Sequence, residues 1–372
     1  MKGVIAAGSI PTAQAGAEVL KAGGNAIDAL VAASFAVAAG EPTVTSLAGG
    51  GMLVVRSART GKVSVCDFFA NAPLLGTDEI DNPDFYGIDL NYGPTTQTFH
   101  VGAAAAAVPG VVPGLCEALE RWGTMELSDV ITPACTMLRN GAELGVRQAA
   151  MAQFLEPILT VNPKPRGIFA PGGRYLDGGD AFYLPQLADT IEALARVGWR
   201  EYYDSVLCPA MLTQFGPGNG GLLTPEDFEK YEVVFREPLQ MMYRDTQVYT
   251  VPAPAAGGPM ITFMLNLLQT DDLGRYAIGS TEHARRLCAA MALADEVRLA
   301  NPKAMATARA ESWRERYLEM VNEGLGAPTP GPGGPSSTTH ISVVDAAGNA
   351  AGMTFSYGES NAEMLGDTGI MM

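Results

Sequence analysis

From Thr338 to Tyr357 polar and apolar residues alternate on both sides of one short break, a pattern that admits few structures. His340-Ile341-Ser342-Val343-Val344 reads as a half-buried strand, and the residues through Phe355 as its return. Ala346-Ala347-Gly348 suits a three-residue hairpin loop, with Gly348 in the left-handed position that closes it. Asp345 then faces Asn349, and counting back sets Ser342 against Gly352, His340 against Thr354 and Thr338 against Ser356. Facing residues share one side of a sheet, so Thr338, His340, Thr354 and Ser356 form a polar cluster. Ile341, Val343, Met353 and Phe355 point the other way, into a core.

Hydroxyls at a strand end have an ordinary explanation, since threonine favours strands and edge hydroxyls are often only solvated. The residues before them offer a second one. Gly326 to Ser337 (GAPTPGPGGPSS) has no apolar periodicity, so residues 325–337 read as a flexible linker abutting a patterned strand. Backbone self-cleavage at Ser337–Thr338 requires such a linker. It would leave Thr338 with its own α-amine, of pKa near ~8, as a base for its own hydroxyl. The pattern alone leaves both readings open.

Thr338-Thr339-His340-Ile341-Ser342-Val343-Val344-Asp345, followed by Gly348-Asn349-Ala350, closely resembles the start of the small subunit in the γ-glutamyltransferase (glutathione hydrolase) family. The resemblance implies an N-terminal-nucleophile hydrolase with an α+β, four-layer αββα sandwich, here incomplete at the C-terminus. It implies Thr338 as nucleophile, Ser337–Thr338 as the autoprocessing bond and Ser356 as a second, supporting hydroxyl. Thr339, His340 and Thr354 are then supporting or substrate-binding residues. Residues 1–337 would be the large-subunit region, and 338–372 the beginning of the small one, both from one precursor.

A second stretch carries the same resemblance. LKAGGNAIDALVAASFAVAAGEP followed by GGGMLVV matches the family's N-terminal signature. Within it, Pro11 to Leu20 reads as a helix stopped at Gly23-Gly24-Asn25. Ala26 to Ala39 reads as a helix apolar nearly all round and therefore buried. Gly49-Gly50-Gly51 opens a strand, Met52 to Arg56, which returns as Val63 to Phe69. Phosphate-binding glycines open a helix after a strand, so these are read as close backbone packing near the site. One departure concerns the substrate. The family's second strand ends in Asp-Phe-Arg-Glu, the arginine gripping the substrate's α-carboxylate; here Asp67-Phe68-Phe69-Ala70 puts Phe69 at that position. Phenylalanine cannot make the bidentate pair. Arg56, on the neighbouring strand, is a candidate replacement.

With 372 residues the chain can bury a large core, as one domain or two lobes. A net charge of −16 excludes nucleic acid and anionic membrane as partners, because both require a basic surface. Five cysteines without CxxC spacing read as buried free thiols in a reducing compartment. His100, His283 and His340 show no metal-ligand spacing, so neither metal nor cofactor is expected. The first residues lack the apolar run of a signal peptide and Ala26–Ala39 is too short for a membrane span. A cytoplasmic protein is expected as written, periplasmic or secreted if a leader precedes it.

The middle is architecture: helices over Val112–Trp122, Met125–Gly141, Leu184–Val197, Met260–Leu268, Glu282–Ala300 and Glu311–Gly324. Thr224 with Asp227 is a helix-capping signature, and Glu226 and Asp227 read as a solvated first turn rather than catalytic carboxylates. Gly366–Met372 reads as a strand beginning. The resemblance implies that a Ser-Ser pair and the Gly-Gly oxyanion amides would follow, and Gly358 stands where the family has a carboxylate-binding asparagine. The expectation is therefore a piece of an amidohydrolase that attacks a small amide or γ-glutamyl substrate and passes the acyl group to water or an amine. Three readings compete: a glutathione-type hydrolase, an acylase on the same scaffold with a non-γ-glutamyl substrate, and a catalytically silent homologue.

Overall fold

A short strand, β1 (Gly3–Ala6), leads into helices α1 (Ile10–Ala22) and α2 (Ala26–Gly40) in the computed structural model of the chain. The structure describes residues 3–73, 82–93, 95–269, 271–300, 305, 309–324 and 338–372. The expected linker, residues 325–337, and with it Ser337, lies outside the described residues. Ser9 caps α1 by accepting from the Thr12 amide at 3.2 Å, and Gly23 ends it at φ 108°. Every residue of α2 is buried, as its all-round apolar composition requires. Its one internal charge, Asp28, is satisfied: the carboxylate accepts from the amides of Asn25, Thr124 and Met125 and from the Thr124 hydroxyl, at 2.6–3.1 Å.

Strands β2 (Gly50–Arg56), β3 (Val63–Phe68), β4 (Val234–Arg236), β5 (Thr339–Asp345) and β6 (Ala350–Ser356) complete the main sheet with β1. Its order is β1-β5-β6-β2-β3-β4. The hairpin forms in the register counted from the sequence. Ser342 pairs with Gly352, His340 with Thr354 and Thr339 with Phe355. Gly348, at φ 85°, closes the loop by donating to the Asp345 carbonyl at 3.1 Å. Ile341, Val343, Met353 and Phe355 are buried against α2, while His340, Ser342 and Thr354 are exposed.

Helix and strand match in length. The 15 residues of α2 extend about 22 Å, and the 7 of β5 about 23 Å. They are tied at their ends. Asp345, closing β5, accepts from the Ala26 amide that opens α2 at 3.1 Å, as well as from Ala347, the Asn349 amide and the Asn349 side chain at 2.8–3.0 Å. Burial pushes the Asp345 carboxyl up, but these donors outweigh it and hold it below the usual carboxylate value.

The glycine run is close packing, as expected. A Cβ at Gly49 would stand 2.3 Å from the Ser356 carbonyl, at Gly50 2.2 Å from the Ala70 nitrogen, and at Gly51 2.5 Å from the Phe355 Cβ. The Gly49 carbonyl accepts from Gly110 and Val111, which open helix α3 (Val111–Trp122).

Four expectations are corrected. The helix read over Met125–Gly141 is two, α4 (Leu127–Val130) and α5 (Thr132–Asn140), because Pro133 restarts the helix after one turn. Asp227 is buried, not solvated; it closes a capping box by accepting from the Thr224 amide and hydroxyl at 2.8 and 2.9 Å. The last residues form a turn with a single Met364–Met371 bridge in place of a strand, closed by Thr368 donating to Leu365 and Leu365 to Ile370. Of the five free cysteines, Cys288 is exposed.

The chain divides into two compact units, 1–62 with 66–235 and 333–372, and 63–65 with 236–332. The second has its own core, Phe263, Leu267, Leu293, Val297 and Tyr317, built by helices Gly257–Gln269, Thr281–Ala300 and Arg314–Glu323. No described helix is long and apolar enough to cross a membrane.

Replacing Asp345 by alanine strands four donors and is expected to cost about 2–3 kcal/mol, read from denaturant unfolding. The folded pKa of Asp345 lies below its unfolded value, so its contribution is full above the usual carboxylate range. It is lost as pH falls through the depressed value, and Asp345→Asn should flatten the fall in melting temperature below about pH 5. Gly50→Ala drives a methyl into backbone and should destabilise by ~1–3 kcal/mol. Gly352→Ala, whose methyl would meet its nearest atom, His340 Nε2, at 3.7 Å, should be tolerated in the same unfolding assay.

Candidate active site

The polar residues singled out from the sequence gather at one end of the main sheet. Thr338 is exposed and immediately precedes Thr339, the first paired residue of β5. Thr339 pairs with Phe355, and Ser356 follows Phe355. Thr338 and Ser356 therefore flank the same rung at the same end. Ser356 is paired on its other side with Gly50, and its Oγ accepts from the Gly358 amide at 3.0 Å.

One rung further in, His340 Nδ1 lies 2.7 Å from the Thr354 hydroxyl and Nε2 2.9 Å from the Ser342 hydroxyl. Although His340 is exposed by surface area, partial desolvation of its ring lowers its pKa, which favours the neutral form that donates to one hydroxyl and accepts from the other. His340 and Thr354 thus staple the hairpin next to the site.

Thr339 faces the other way. It is buried on the helix side, where its hydroxyl donates to Glu41 Oε2 at 2.6 Å. Oε1 of the same carboxylate accepts from Thr12 at 2.7 Å, and Thr12 Oγ1 lies 2.8 Å from Ser9 Oγ. Glu41, the C-cap of α2, is 2% exposed. The sequence reading, which ended the helix at Ala39, did not single it out. The signal was present: a carboxylate ending an otherwise apolar buried helix needs a polar partner.

Phe69 belongs to the same end of the sheet. Gly50, the ladder partner of Ser356, packs against the Phe69–Ala70 peptide so closely that a Cβ would stand 2.9 Å from the Phe69 carbonyl carbon. The Phe69 amide donates to Asp67 at 3.1 Å, and its carbonyl accepts from the Tyr231 hydroxyl at 3.2 Å. With its backbone held on both sides, Phe69 is left 62% exposed. Arg56 does not replace the family's arginine. It pairs with Ala350 at the loop end of β2, six residues and about 20 Å from Gly50. Among the described residues no group of three histidine, cysteine or acidic side chains is placed to hold a metal ion.

Residues 12–372 match the family described as Gamma-glutamyltranspeptidase. The chain is 31% identical over 396 residues to the glutathione hydrolase proenzyme of Escherichia coli (strain K12), aligning all of this chain with 66% of that protein. It is 32% identical over 357 residues to the acylase ACY 1 proenzyme of Pseudomonas sp. (strain SE83), covering 91% of this chain and 62% of that one. The chain thus spans slightly less than two thirds of these relatives. Among solved structures, cephalosporin acylase from Bacillus halodurans superposes on all of this chain and 69% of its own, with TM-score 0.79 and 24% identity. Helicobacter pylori gamma-glutamyltranspeptidase covers 88% of this chain and 97% of its own, with TM-score 0.70 and 25% identity. These likenesses bear out the N-terminal-nucleophile hydrolase fold that the family resemblance implied. With a matching family description over nearly its whole length, the chain belongs to the gamma-glutamyltranspeptidase family.

Proposed function

We propose that the protein is an amidohydrolase or acyl transferase that works through Thr338 as an N-terminal nucleophile, freed by cleavage of its own Ser337–Thr338 bond. The observation that carries this reading is the placement of Thr338. It is the exposed residue next to a strand end held from both faces, with Ser356 on the same rung boundary. That both relatives are named proenzymes supports it.

In processing, Thr338 Oγ adds to the Ser337 carbonyl carbon and the peptide C–N bond breaks. The Thr338 nitrogen takes the hydroxyl proton and becomes an amine. Water then hydrolyses the resulting ester, leaving a Ser337 carboxylate and a free Thr338. Residues 1–337 become the large chain, and the small one begins at 338. In turnover the Thr338 α-amine, with a pKa near ~8, accepts the proton of its own hydroxyl as Oγ attacks the substrate amide. The proton passes to the departing amine. The acyl-enzyme is resolved by water or by an acceptor amine. Ser356, whose Oγ accepts from the Gly358 amide, is assigned as the second hydroxyl that supports Oγ.

For the substrate, the exposed Phe69 ring favours an acylase over a glutathione-type hydrolase. At this place a γ-glutamyl α-carboxylate would meet an aromatic surface rather than a guanidinium fork, losing a charge-assisted bond of ~1.5–3 kcal/mol. An apolar acyl group would instead bury area against the ring.

Thr338→Ala should leave a single uncut chain without amidase activity, whereas a cleaved and active variant would refute the nucleophile assignment. γ-Glutamyl-p-nitroanilide should be a poor substrate. Phe69→Arg should raise kcat/KM for it by roughly tenfold to a hundredfold. Efficient wild-type turnover of that compound, made worse by Phe69→Arg, would return the protein to the glutathione-type hydrolases.

A further inference from the structure

The structure assigns Glu41 as a positioning residue for Thr338, acting through the Thr339 hydroxyl; the inference rests on the nucleophile reading above. Thr338 sits where β5 leaves its ladder, and strand ends of this kind open at little cost unless tied down. Alternation fixes which face of β5 is buried, because a slip of one residue would invert it, but a slip of two preserves it. The position of Thr338 along the sheet therefore needs contacts specific to one residue. At the far end Asp345 supplies one, to the Ala26 amide. At the near end the tie is Glu41, the residue that terminates the same helix.

The tie is a built one. Glu41 receives the Thr339 hydroxyl on Oε2 at 2.6 Å and the Thr12 hydroxyl on Oε1 at 2.7 Å. Thr12 spends its proton on Glu41, so the 2.8 Å contact with Ser9 has Ser9 as donor. The chain Ser9, Thr12, Glu41, Thr339 thus joins the capped start of α1, the end of α2 and the start of β5. Backbone closes around it. A Cβ at Gly8 would stand 2.1 Å from Glu41 Oε2 and 3.1 Å from Thr339 Oγ1, and one at Gly40 2.8 Å from Thr12 Oγ1. A carboxylate so enclosed cannot follow a moving strand, and the strand cannot move without leaving the carboxylate unpaired. Glu41 lies on the helix side of the sheet, whereas Thr338 adjoins the opposite, polar face. Its effect on the reaction is through placement.

The test uses the protein expressed from its own gene, with Glu41→Gln, Thr339→Val, Thr339→Ser and the control Thr338→Ala. Self-cleavage is followed by gel, and kcat and KM with the best amide substrate. Glu41→Gln should slow cleavage and lower kcat by about 10- to 100-fold, with KM within about twofold and a single cooperative unfolding transition. Thr339→Val should do the same, and Thr339→Ser, which keeps the hydroxyl, should recover most of the rate. Wild-type cleavage and kcat in Glu41→Gln would overturn the inference. So would equal losses in Thr339→Ser and Thr339→Val, or a rise in KM at unchanged kcat. Should Glu41→Gln fail to fold, the Thr339 pair decides on the same criteria. A cleaved, active Thr338→Ala defeats the nucleophile reading itself; an inert one beside a fully active Glu41→Gln defeats only the role of Glu41.

Discussion

Both ends of α2, a helix buried on every side, bond to the same strand. Ala26 donates to Asp345, where β5 ends, and Glu41 accepts from Thr339, where β5 begins. Helix and strand have nearly equal length, so the two bonds form together without straining either element. Apolar burial of Ile341 and Val343 against α2 supplies adhesion, but it is non-directional and tolerates sliding. The carboxylates set the position. Each is enclosed and hydrogen-bonded to specific partners, so misplacement leaves a buried polar group short of donors.

Around that strand end the fold brings backbone unusually close. The glycines at 49–51 let β2 lie against Ser356, Phe355 and the Phe69–Ala70 peptide, and the Gly49 carbonyl receives the first amides of α3. Main chain therefore makes these close contacts, and side chains that project from it can vary without breaking them. Phe69 is one of these. Its amide and carbonyl are held by Asp67 and Tyr231 through main-chain atoms, so its side chain can be exchanged without disturbing those bonds.

Much of this was legible in the sequence because the hairpin obeys a strict period of two. One glycine in the left-handed position sufficed to count the register from Asp345 back to Thr339. The all-apolar helix and its capped start were legible for the same reason, a single period with clear end signals. Glu41 was not, because a carboxylate followed by proline reads locally as a helix stop and its partners lie 29 and 298 residues away. Asp227 was misjudged in the same way: an acidic first turn looks solvated until tertiary packing covers it. Arg56 was a plausible substitute for the missing arginine until the β2–β6 register put it at the wrong end of its strand. Local pattern carries periodicity and caps; it does not carry which distant element closes over a charge.

The central claim is that this strand end places Thr338 to cut its own peptide bond and then to work from the freed terminus. The most direct measurement is the intact mass of the purified protein together with the N-terminal sequence of any smaller chain. The account predicts two chains, the smaller beginning Thr338-Thr339-His340. A protein that is active while wholly uncut, or a smaller chain beginning at any other residue, would contradict it.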